Sequence, residues 1–501
     1  MTTTSSTATS AGDPPGATAV PGTDPAPASA AGRLSLASRL RARLAPRSRV
    51  IHDWDPEDEA AWEAGNKGIA RRNLIWSVAT EHVGFSIWSI WSVMVLFLPQ
   101  AVYGFTAADK FALVAVPTLV GALLRIPYTM ATALFGGRNW AVVSGFVLLV
   151  PTVATWYLVA NPGHSLGTFL VVAALAGLGG GNFASSMTNI NAFYPQRLKG
   201  WALGLNAGGG NIGVPVIQLV GLLTIATLGN RRPEVVCAVY LVLLAAASVG
   251  AALFMDNLDH RTADPRALVE VLRHADSWVI SLLYIGTFGS FIGFGFAFGQ
   301  VLNLTFLTDV TNGRPATATA AQAAAASLQA AQIAFLGPLL GSLSRVWGGR
   351  LADRRGGGSV TFLAFAGMTL AGGVVTLASR SDDVTPGAAT GPQLAGLIGG
   401  FVALFLLSGI GNGSVYKLIP AIFEEKSHRH TGSERSRTQW SRSMSGALIG
   451  IAGAVGALGG VVINLGLRAS YLGAAASATA AFVAFTLCYL VFAILTRARY
   501  R

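Results

Sequence analysis

The stretch GSLSRVWGGRLADRRGGG, residues 341–358, decides the fold because the chain contains a second copy of its pattern, GALLRIPYTMATALFGGR, at residues 121–138. Arg125 and Arg345 occupy the same place in the two copies, 220 residues apart. Each lies inside an apolar run long enough to cross a membrane as a helix, which takes about 20 residues. A charge in such a run costs about 2.5 to 3.5 kcal/mol on insertion scales and marks a functional position. We therefore predict a membrane protein made of two related units.

Two further pairs of segments repeat in the same way. GGGNFASSMTNINAF (179–193) matches GIGNGSVYKLIPAIF (409–423), and GLNAGGGNIGV (204–214) matches GIAGAVGALGG (450–460). The matched pairs in the first repeat include Gly121 and Gly341. In the second repeat they are Gly179 and Gly409, Gly181 and Gly411, Asn182 and Asn412, and Phe193 and Phe423. In the third they are Gly204 and Gly450, Gly210 and Gly456, and Gly213 and Gly459. A parallel duplication of six helices places the substrate site near the membrane midplane, between the halves. The two arginines are then expected to face each other.

The composition and the apolar runs predict an all-α membrane protein with 12 transmembrane helices in two pseudo-symmetric six-helix halves. Hydrophobic residues make up 52% of the 501 residues and charged residues only 12%, against about 25% charged in a soluble domain. The predicted helices cover 73–98, 111–135, 139–160, 167–191, 199–225, 235–255, 277–301, 325–349, 359–379, 393–419, 443–467 and 472–496. The first half is expected over 73–255, a central loop over 256–276 and the second half over 277–501.

The first 72 residues have a different composition. Residues 1–50 are rich in Thr, Ser, Ala, Gly and Pro, which favours disorder, and they show no basic start followed by the apolar run of a secretory signal. Residues 51–72 carry Trp54 and Trp62 among charged residues, which is typical of an amphipathic segment at a membrane surface. We expect a cytosolic tail.

The net charge of +12 is explained by topology. Nine of the 35 Lys and Arg residues lie in the tail, seventeen in one set of loops with the C-terminus, and six in the alternate loops. Because basic residues concentrate on the cytoplasmic side, both termini and the central loop are predicted to be cytoplasmic. Nothing in this distribution indicates a nucleic-acid partner.

Few charged groups remain within the predicted helices. They are Arg125, Arg345, Lys417 and one acid, Glu81, and His82 is the one histidine placed there. The excess of positive charge suits an anion. Two guanidinium groups can grip a planar oxyanion through paired hydrogen bonds better than lysines can. Pairing with a carboxylate, or snorkelling to the lipid headgroups, is the structural alternative for the arginines.

The glycine-rich stretches need a separate interpretation. Gly208, Gly210 and Gly213 formally match GxGxxG, but the nucleotide motif requires a strand before it and a soluble βαβ unit around it. Small residues at a helix interface are the better explanation. The glycines predicted to pack helices are Gly204, Gly208, Gly210, Gly213, Gly450, Gly456, Gly459 and Gly460. Asn211 lies among them, where its amide either bonds to backbone or contacts a substrate.

Catalytic and cofactor signals are weak. Cys237 and Cys488 lie far apart in apolar stretches, so neither a disulfide framework nor a CxxC metal site is predicted. No nucleophile with an adjacent base and no cluster of metal ligands is found in the predicted helices. We therefore expect neither an enzyme, nor a metal, nor a cofactor.

Several motifs together resemble a known family. GRLADRRGG (349–357) is similar to the cytoplasmic loop motif GxxxDRxGR of the major facilitator superfamily, while the equivalent first-half position around Thr129 and Ala133 lacks the acid. The NarK-type nitrate/nitrite porters of that superfamily share this departure. The stretches GALLRIPY, NFASSM, KGWALGLNAGGGNIGV, SLLYIGTFGSFIGF and GIAGAVGALGG also resemble those porters. The resemblance extends from about residue 50 to the C-terminus.

The resemblance implies a major facilitator fold, nitrate and nitrite as substrates, and a monomer in the lipid of the bacterial cytoplasmic membrane. It also implies roles for residues that composition alone leaves undecided. Arg125 and Arg345 would bind the anion, with Asn211 and Tyr284 as hydrogen-bonding partners. Rings above and below the anion would come from Phe85, Phe183 and Phe288. Without the resemblance, these phenylalanines would be interpreted as ordinary core packing.

The mode of energy coupling stays open at this point. The pattern of Glu81 and His82 in helix 1 with Lys417 in helix 10 resembles the branches associated with proton-coupled nitrate uptake, and Lys417 could lie near Glu81. A purely structural Glu81–Lys417 ion pair is the alternative. We favour nitrate/proton symport. Electroneutral nitrate/nitrite antiport, a facilitator for another small anion such as a short carboxylate, and a passive channel or sensor are the other functions considered.

Overall fold

The computed structural model describes residues 49–500, apart from 230–231, 260–264, 312–316, 386–387 and 430–432. The predicted disorder of residues 1–48 lies outside the described residues. Within the described part of the chain the architecture is helical, with one short parallel pair of strands, β1 (Val50–Ile51) and β2 (Asn257–Leu258).

Twelve long helices follow one another along the described part of the chain. They are α1 (Lys67–Trp88), α2 (Ala107–Phe135), α3 (Gly137–Ala160), α4 (Leu166–Phe193), α5 (Gln196–Leu228), α6 (Glu234–Phe254), α7 (Ala275–Val310), α8 (Ala320–Arg355), α9 (Gly357–Val384), α10 (Gly391–Ser427), α11 (Glu434–Leu472) and α12 (Thr479–Tyr500). The stretches Ile90–Met94 and Val95–Phe97 extend α1. Shorter helices lie at Glu59–Ala61, Trp62–Asn66, Gln100–Tyr103 and Pro265–Val271.

Eleven of these helices, α2 to α12, are long and apolar enough to cross a membrane. The first helix has the length but is less apolar, because it buries Asn73, Ser77, Thr80 and Glu81 against its neighbours. The predicted all-α membrane fold is confirmed. Several helices are longer than predicted, and α1 begins at Lys67 instead of residue 73.

The helix ends reflect local sequence. Thr106 caps α2 in a reciprocal arrangement with Asp109, and a threonine three residues before a glutamine does the same for α8 and α10. Gly136 and Gly356 form the tight turns after α2 and α8, each with positive φ (85° and 84°), a conformation that favours glycine. These two glycines occupy equivalent places in the repeated stretches, so the duplication extends to the turns.

Helix packing extends the repeat to α1 and α7, whose sequences share little beyond Phe85 and Phe288. A Cβ atom on Gly213 of α5 would collide with the carbonyl oxygen of His82, and one on Gly459 of α11 would collide with that of Ile285. Because Gly213 and Gly459 are repeat equivalents, His82 and Ile285 are equivalent too. The two six-helix halves, α1 to α6 and α7 to α12, are therefore related helix by helix.

A second pair of contacts gives the same alignment. The Trp88 ring of α1 packs on Gly121 of α2, and the Phe291 ring of α7 packs on Gly341 of α8. Each glycine leaves room for a large ring against the helix that carries the buried arginine. The bulky partner differs between the halves, which hides the relationship from the sequence.

Hydrogen bonds join the two halves directly toward one end of the molecule. The end at which α8 finishes and α9 begins is called the motif end here, because residues 349–357 lie there. Toward the opposite end, the Gln218 amide of α5 donates a hydrogen bond to the Gly295 carbonyl of α7 (2.7 Å). The Ser327 hydroxyl of α8 donates to the Leu96 carbonyl beyond α1 (2.7 Å).

Several glycines of α5, α8 and α11 that lie toward the motif end have open space beside them. A Cβ atom on Gly204, Gly208, Gly349 or Gly450 would have no neighbouring heavy atom within 4 Å. The structure therefore corrects the packing role predicted for Gly204, Gly208 and Gly450. Nearer the middle of the same helices, close contacts occur at Gly210, Gly213, Gly456, Gly459 and Gly460. Sequence gives the glycine-rich stretch, whereas only the packing shows which of its faces meets a neighbour.

The segment before α1 also differs from the prediction. Trp54 and Trp62 are buried (7% and 3% exposed) and pack edge-on against Phe193 and Tyr194 at the end of α4. With β1 paired to β2, the segment forms part of a small second core at the motif end. It does not lie free at a membrane surface, because its tryptophans find aromatic partners within the protein.

Candidate functional site

Arg125 lies at the centre of the molecule and is 1% exposed. Its Nη1 donates a hydrogen bond to the Gly453 carbonyl of α11 (2.8 Å), so it reaches from one half to the other. Its guanidinium carbon lies 4.7 Å from the ring centre of Phe183, 4.9 Å from that of Phe288 and 5.5 Å from that of Trp88. Within the described part of the chain, Nε and Nη2 have no acceptor. Two donors are therefore available to a ligand.

Arg345 is held differently on α8. It is 9% exposed, its Nη2 donates to the Tyr284 hydroxyl (3.4 Å), and its guanidinium carbon lies 5.1 Å from the ring centre of Tyr416. Its Nη1 has no acceptor among the described residues. Across those same residues, no carboxylate forms an ion pair with Arg125 or Arg345. Two buried cations that form no ion pair there favour an anionic ligand, because an unpaired buried charge is costly.

A chain of aromatic rings connects the two arginines. Tyr284 stacks on Phe288 (centroids 5.1 Å apart, 4° between planes), Phe288 lies 6.3 Å from Phe183, and Phe183 lies 5.9 Å from Phe85. The π-helical turn Ile285–Gly289 interrupts α7 between Tyr284 and Ser290, and such turns occur frequently at functional sites. The structure thus brings four of the predicted site residues into one cluster with the arginines.

Asn211 is fully buried on α5. Neither its amide oxygen nor its amide nitrogen has a hydrogen-bond partner in the part of the chain that the structure describes. The alternative considered from sequence, a bond to backbone, is absent there. Buried amides are nearly always hydrogen-bonded, so this one has capacity for a polar ligand or water.

Sequence analysis missed Tyr416. Its ring lies over Arg345 and 4.8 Å from the Tyr284 ring, and its hydroxyl is 3.5 Å from the place a Cβ would take on Gly453, the residue that holds Arg125. A signal was present, because the repeat of 179–193 with 409–423 aligns Tyr416 with Ser186. An aromatic side chain opposite a serine in an otherwise matched segment indicates a specialised position.

Glu81 lies in a separate buried cluster within the first half. Its carboxylate accepts hydrogen bonds from the Ser186 hydroxyl and from the Asn206 amide (2.7 Å for the latter). Its other oxygen, Oε1, has no partner among the described residues, and Gly210 packs directly against it. Only neutral donors contact this acid in the described structure. Sequence reasoning identified Glu81 but not Ser186 or Asn206.

His82 turns toward α5. Its Nδ1 lies 3.1 Å from the Gly209 carbonyl oxygen, an acceptor, so Nδ1 carries the hydrogen of this contact. The side chain therefore tethers α1 to the glycine-rich part of α5 rather than extending toward Glu81.

Lys417 is not beside Glu81, and this prediction is corrected. Its Nζ lies 2.5 Å from the carboxylate of Asp353, and both side chains are about half exposed (52% and 50%). The helix α10 carries Lys417 to the motif end, where a solvated carboxylate of the 349–357 stretch is available. A lysine with such a partner does not need to enter the buried region around Glu81.

A helical fold of two related halves with a buried cation from each half between them defines the class of secondary membrane transporters. The chain matches the Major Facilitator Superfamily over residues 77–433 and belongs to it. A solved D-xylose-proton symporter shares the fold, with a TM-score of 0.60 over 85% of this chain and 97% of that one, at 12% identity.

Sequence relatives identify the branch of the superfamily. The chain is 35% identical over 391 residues to the nitrate/nitrite transporter NarU of Salmonella typhimurium and 36% identical over 391 residues to NarU of Escherichia coli. Each match covers 75% of this chain and 79% of the relative. The chain therefore belongs to the NarK-type nitrate/nitrite porters and is a multi-pass membrane protein.

Proposed function

We propose that this protein transports nitrate and nitrite across the bacterial cytoplasmic membrane by alternating access. The observation that carries the proposal is the pair of buried arginines, Arg125 and Arg345, one from each half and neither in an ion pair within the described structure. Relatives that are named nitrate/nitrite transporters support the choice of substrate.

The chemistry of the site fits a small planar monoanion. Each guanidinium still has unbonded N–H groups, and two charged donors with the Tyr284 hydroxyl and the Asn211 amide replace the hydration shell of the anion. Charge-assisted hydrogen bonds are roughly twice as strong as neutral ones. The rings of Phe183 and Phe288 exclude water, which strengthens every electrostatic contact inside the site.

The contacts between the halves support alternating access. Arg125 of the first half is bonded to Gly453 of the second, and the halves are linked beyond the site by Gln218 and Ser327. Open space lies beside the glycines at the motif end. In our proposal the halves rock about the arginines, so that the links at the opposite end break while the motif end closes.

We assign the motif end to the cytoplasm, with both termini there. The excess of Lys and Arg in the loops of that end supports the assignment, as the positive-inside rule requires. A reporter enzyme that works only in the cytoplasm should be active when it is fused to the C-terminus, and one that works only in the periplasm should be inactive there. Activity of a periplasmic reporter at that position would reverse the orientation.

Nitrate uptake against a negative interior needs a driving force of about 2.3 kcal/mol per charge and 100 mV. We propose symport with protons and assign the proton to Glu81. This acid is fully buried, contacts only neutral donors in the described structure, and shares the first half with Arg125. Protonation removes a negative charge from the region that receives the anion, so proton and anion binding support each other.

Lys417 has no part in this coupling, because it pairs with Asp353. His82 remains a second candidate, tied to Gly209. The competing mechanism is electroneutral nitrate/nitrite exchange, which needs no titratable group. A facilitator for another anion would show itself by competition of short carboxylates against nitrate flux.

Transport by purified protein in proteoliposomes tests the coupling. Nitrate uptake is measured with an imposed pH gradient, and nitrate counterflow without one, for the wild type, Glu81→Gln and Glu63→Gln. Glu63 is an exposed acid that pairs with Lys67 at the motif end and serves as the matched control. We expect Glu81→Gln alone to lose uptake driven by the gradient while keeping counterflow. Equal gradient-driven uptake by all three proteins would exclude Glu81 and favour exchange.

A further inference from the structure

A large cavity lies at the end of the molecule opposite the motif end. Its volume is about 770 Å³, and both halves line it: Lys110 from α2, Asn303 from α7, Gln393 from α10 and Tyr471 from α11. The cavity lies beyond the Gln218 and Ser327 links, so it is separate from the arginine site. The transport mechanism proposed above does not use it.

Lys110 is the most buried charged side chain that lines this cavity. It is 7% exposed, and no carboxylate forms an ion pair with it among the residues that the structure describes. The neighbouring acid, Asp109, is occupied as the helix cap, where it accepts hydrogen bonds from the backbone N–H and the hydroxyl of Thr106. Phe111 stacks on Tyr471 (5.3 Å) and fixes this part of α2 against α11.

Three aspartates also line the cavity: Asp309, Asp382 and Asp383. Asp383 is exposed and accepts hydrogen bonds from the hydroxyls of Ser477 (2.8 Å) and Thr479 (2.7 Å). Asp309 accepts a bond from the backbone N–H of Ala389 (2.9 Å). The carboxylates of Asp309 and Asp383 therefore have protein partners near the loops of the second half. Lys110, on the first half and more deeply buried, has none in the described structure.

We propose that Lys110 forms a second anion site, which holds a small oxyanion such as nitrate or nitrite between the solution and the central arginines. The inference rests on the proposed nitrate transport. A buried ammonium group with no paired carboxylate is stabilised by a bound anion. The three aspartates belong to the second half, so the proposed site is the part of the cavity wall at Lys110 and not the cavity as a whole. The attraction between Lys110 and the anion weakens with ionic strength, because salt screens charges over about 10 Å at 0.1 M.

The test measures the initial rate of nitrate uptake in proteoliposomes at low and high ionic strength. The variants are Lys110→Met, which keeps the aliphatic length, Lys110→Gln, Lys110→Arg and the control Lys67→Gln, a lysine paired with Glu63 at the motif end. We expect Lys110→Met and Lys110→Gln to raise KM at least about threefold at low ionic strength, with Vmax within twofold. At high ionic strength the KM values should converge. Lys110→Arg and Lys67→Gln should behave as the wild type.

Two results would overturn the second site. One is an unchanged KM in Lys110→Met and Lys110→Gln, and the other is a loss of Vmax without a change in KM, which indicates a structural role. Absence of nitrate transport by the wild type would instead overturn the proposed function itself. Thermal unfolding of each purified variant verifies that the comparison is made between folded proteins.

Discussion

The two halves carry different chemistry at equivalent positions around the arginines. In the first half Gly210 packs on Glu81, and in the second half its equivalent Gly456 packs on Tyr284. Glu81 and Tyr284 thus occupy the same place on α1 and α7. The relation also holds for Phe85 and Phe288, which lie four residues further along each helix.

The partners of these two residues differ in the same way. Ser186 donates to the Glu81 carboxylate, whereas its repeat equivalent Tyr416 contacts the Tyr284 ring. Asn206, the other donor to Glu81, is replaced in the second half by Ala452. In the first half this position is therefore a carboxylate surrounded by hydrogen-bond donors, and in the second half it is a tyrosine packed against another tyrosine.

This difference shows that equivalent positions in the two halves of a duplicated fold can take different roles. Both halves retain a buried arginine, as the proposed anion site requires. In the second half Tyr284 and Tyr416 contact Arg345. In the first half Ser186 and Asn206 hold Glu81, and no hydrogen bond joins this acid to Arg125 among the described residues. We interpret the first half as the one that couples transport to protons through Glu81, and the second half as the one that positions Arg345 for the anion.

The largest effect on nitrate transport is expected from substitution of the two buried arginines, one of which lies in each half. Arg125→Lys and Arg345→Lys keep the charge but lose the planar fork, so Vmax/KM for nitrate should fall by about 100-fold in each, close to the loss of two charge-assisted hydrogen bonds. Uptake and thermal unfolding are measured together. Arg197→Lys, at an exposed ion pair with Glu59, is the control. Normal transport by either site variant would remove that arginine from the anion site.

The next prediction separates the halves through their glycines. Gly456→Ala drives a methyl group into the Tyr284 ring, and Gly210→Ala drives one into the Glu81 carboxylate. Each should lower the free energy of unfolding by about 1 to 3 kcal/mol, the usual penalty for overpacking. Gly456→Ala should raise KM for nitrate, and Gly210→Ala should reduce gradient-driven uptake more than counterflow.

Gly373→Ala on α9 is the matched control for both variants, because its Cβ would meet open space and it lies outside the motif-end glycines of α5, α8 and α11. It should leave the unfolding temperature and transport unchanged or slightly raise stability. If all three alanine variants change the same kinetic parameter, the division of roles between the halves is wrong.

A smaller effect is expected when one hydroxyl is removed. Tyr416→Phe keeps the ring over Arg345 and loses only the phenol oxygen near Gly453. A single neutral hydrogen bond contributes about 0.5 to 1.5 kcal/mol, so KM for nitrate should rise by roughly two- to tenfold, with little change in Vmax. Tyr416→Leu should be much more damaging, and equal effects of the two substitutions would argue that the hydroxyl, not the ring, positions Arg345.

The smallest effect is expected at Lys417. The exposed pair with Asp353 should contribute about 0 to 1 kcal/mol to stability, and Lys417→Gln should keep gradient-driven nitrate uptake within about twofold of the wild type. The same uptake measurement on Asp353→Asn tests the other partner of the ion pair. Complete loss of proton coupling in Lys417→Gln alone would restore Lys417 to the coupling mechanism.

The sequence was sufficient for the fold and for the arginines, because membrane helices are readable from apolar length and an arginine within them stands out by its cost. The equivalence of α1 and α7 was hidden, since Glu81 aligns with Tyr284 and Trp88 with Phe291. The two residues of each pair are of different types, so a comparison of the sequences does not align them. Only the shared glycine contacts reveal it.

Long-range partners account for the remaining differences. Lys417 could not be paired from sequence, because Asp353 lies on another helix and belongs to a motif interpreted as a loop. Trp54 and Trp62 were placed at the membrane surface because their aromatic partners, Phe193 and Tyr194, lie about 130 residues away. The open side of Gly204 and Gly208 likewise depends on helix rotation, which a glycine-rich stretch does not specify.

Counterflow by the wild-type protein tests the central claim, anion transport by alternating access, most directly. Proteoliposomes loaded with unlabelled nitrite are diluted into a trace of labelled nitrate, with no pH gradient. Our account predicts a transient accumulation of labelled nitrate above its equilibrium level, because the same site carries nitrite out and nitrate in. Entry of nitrate that is independent of internal nitrite and nitrate, without any overshoot, would contradict it.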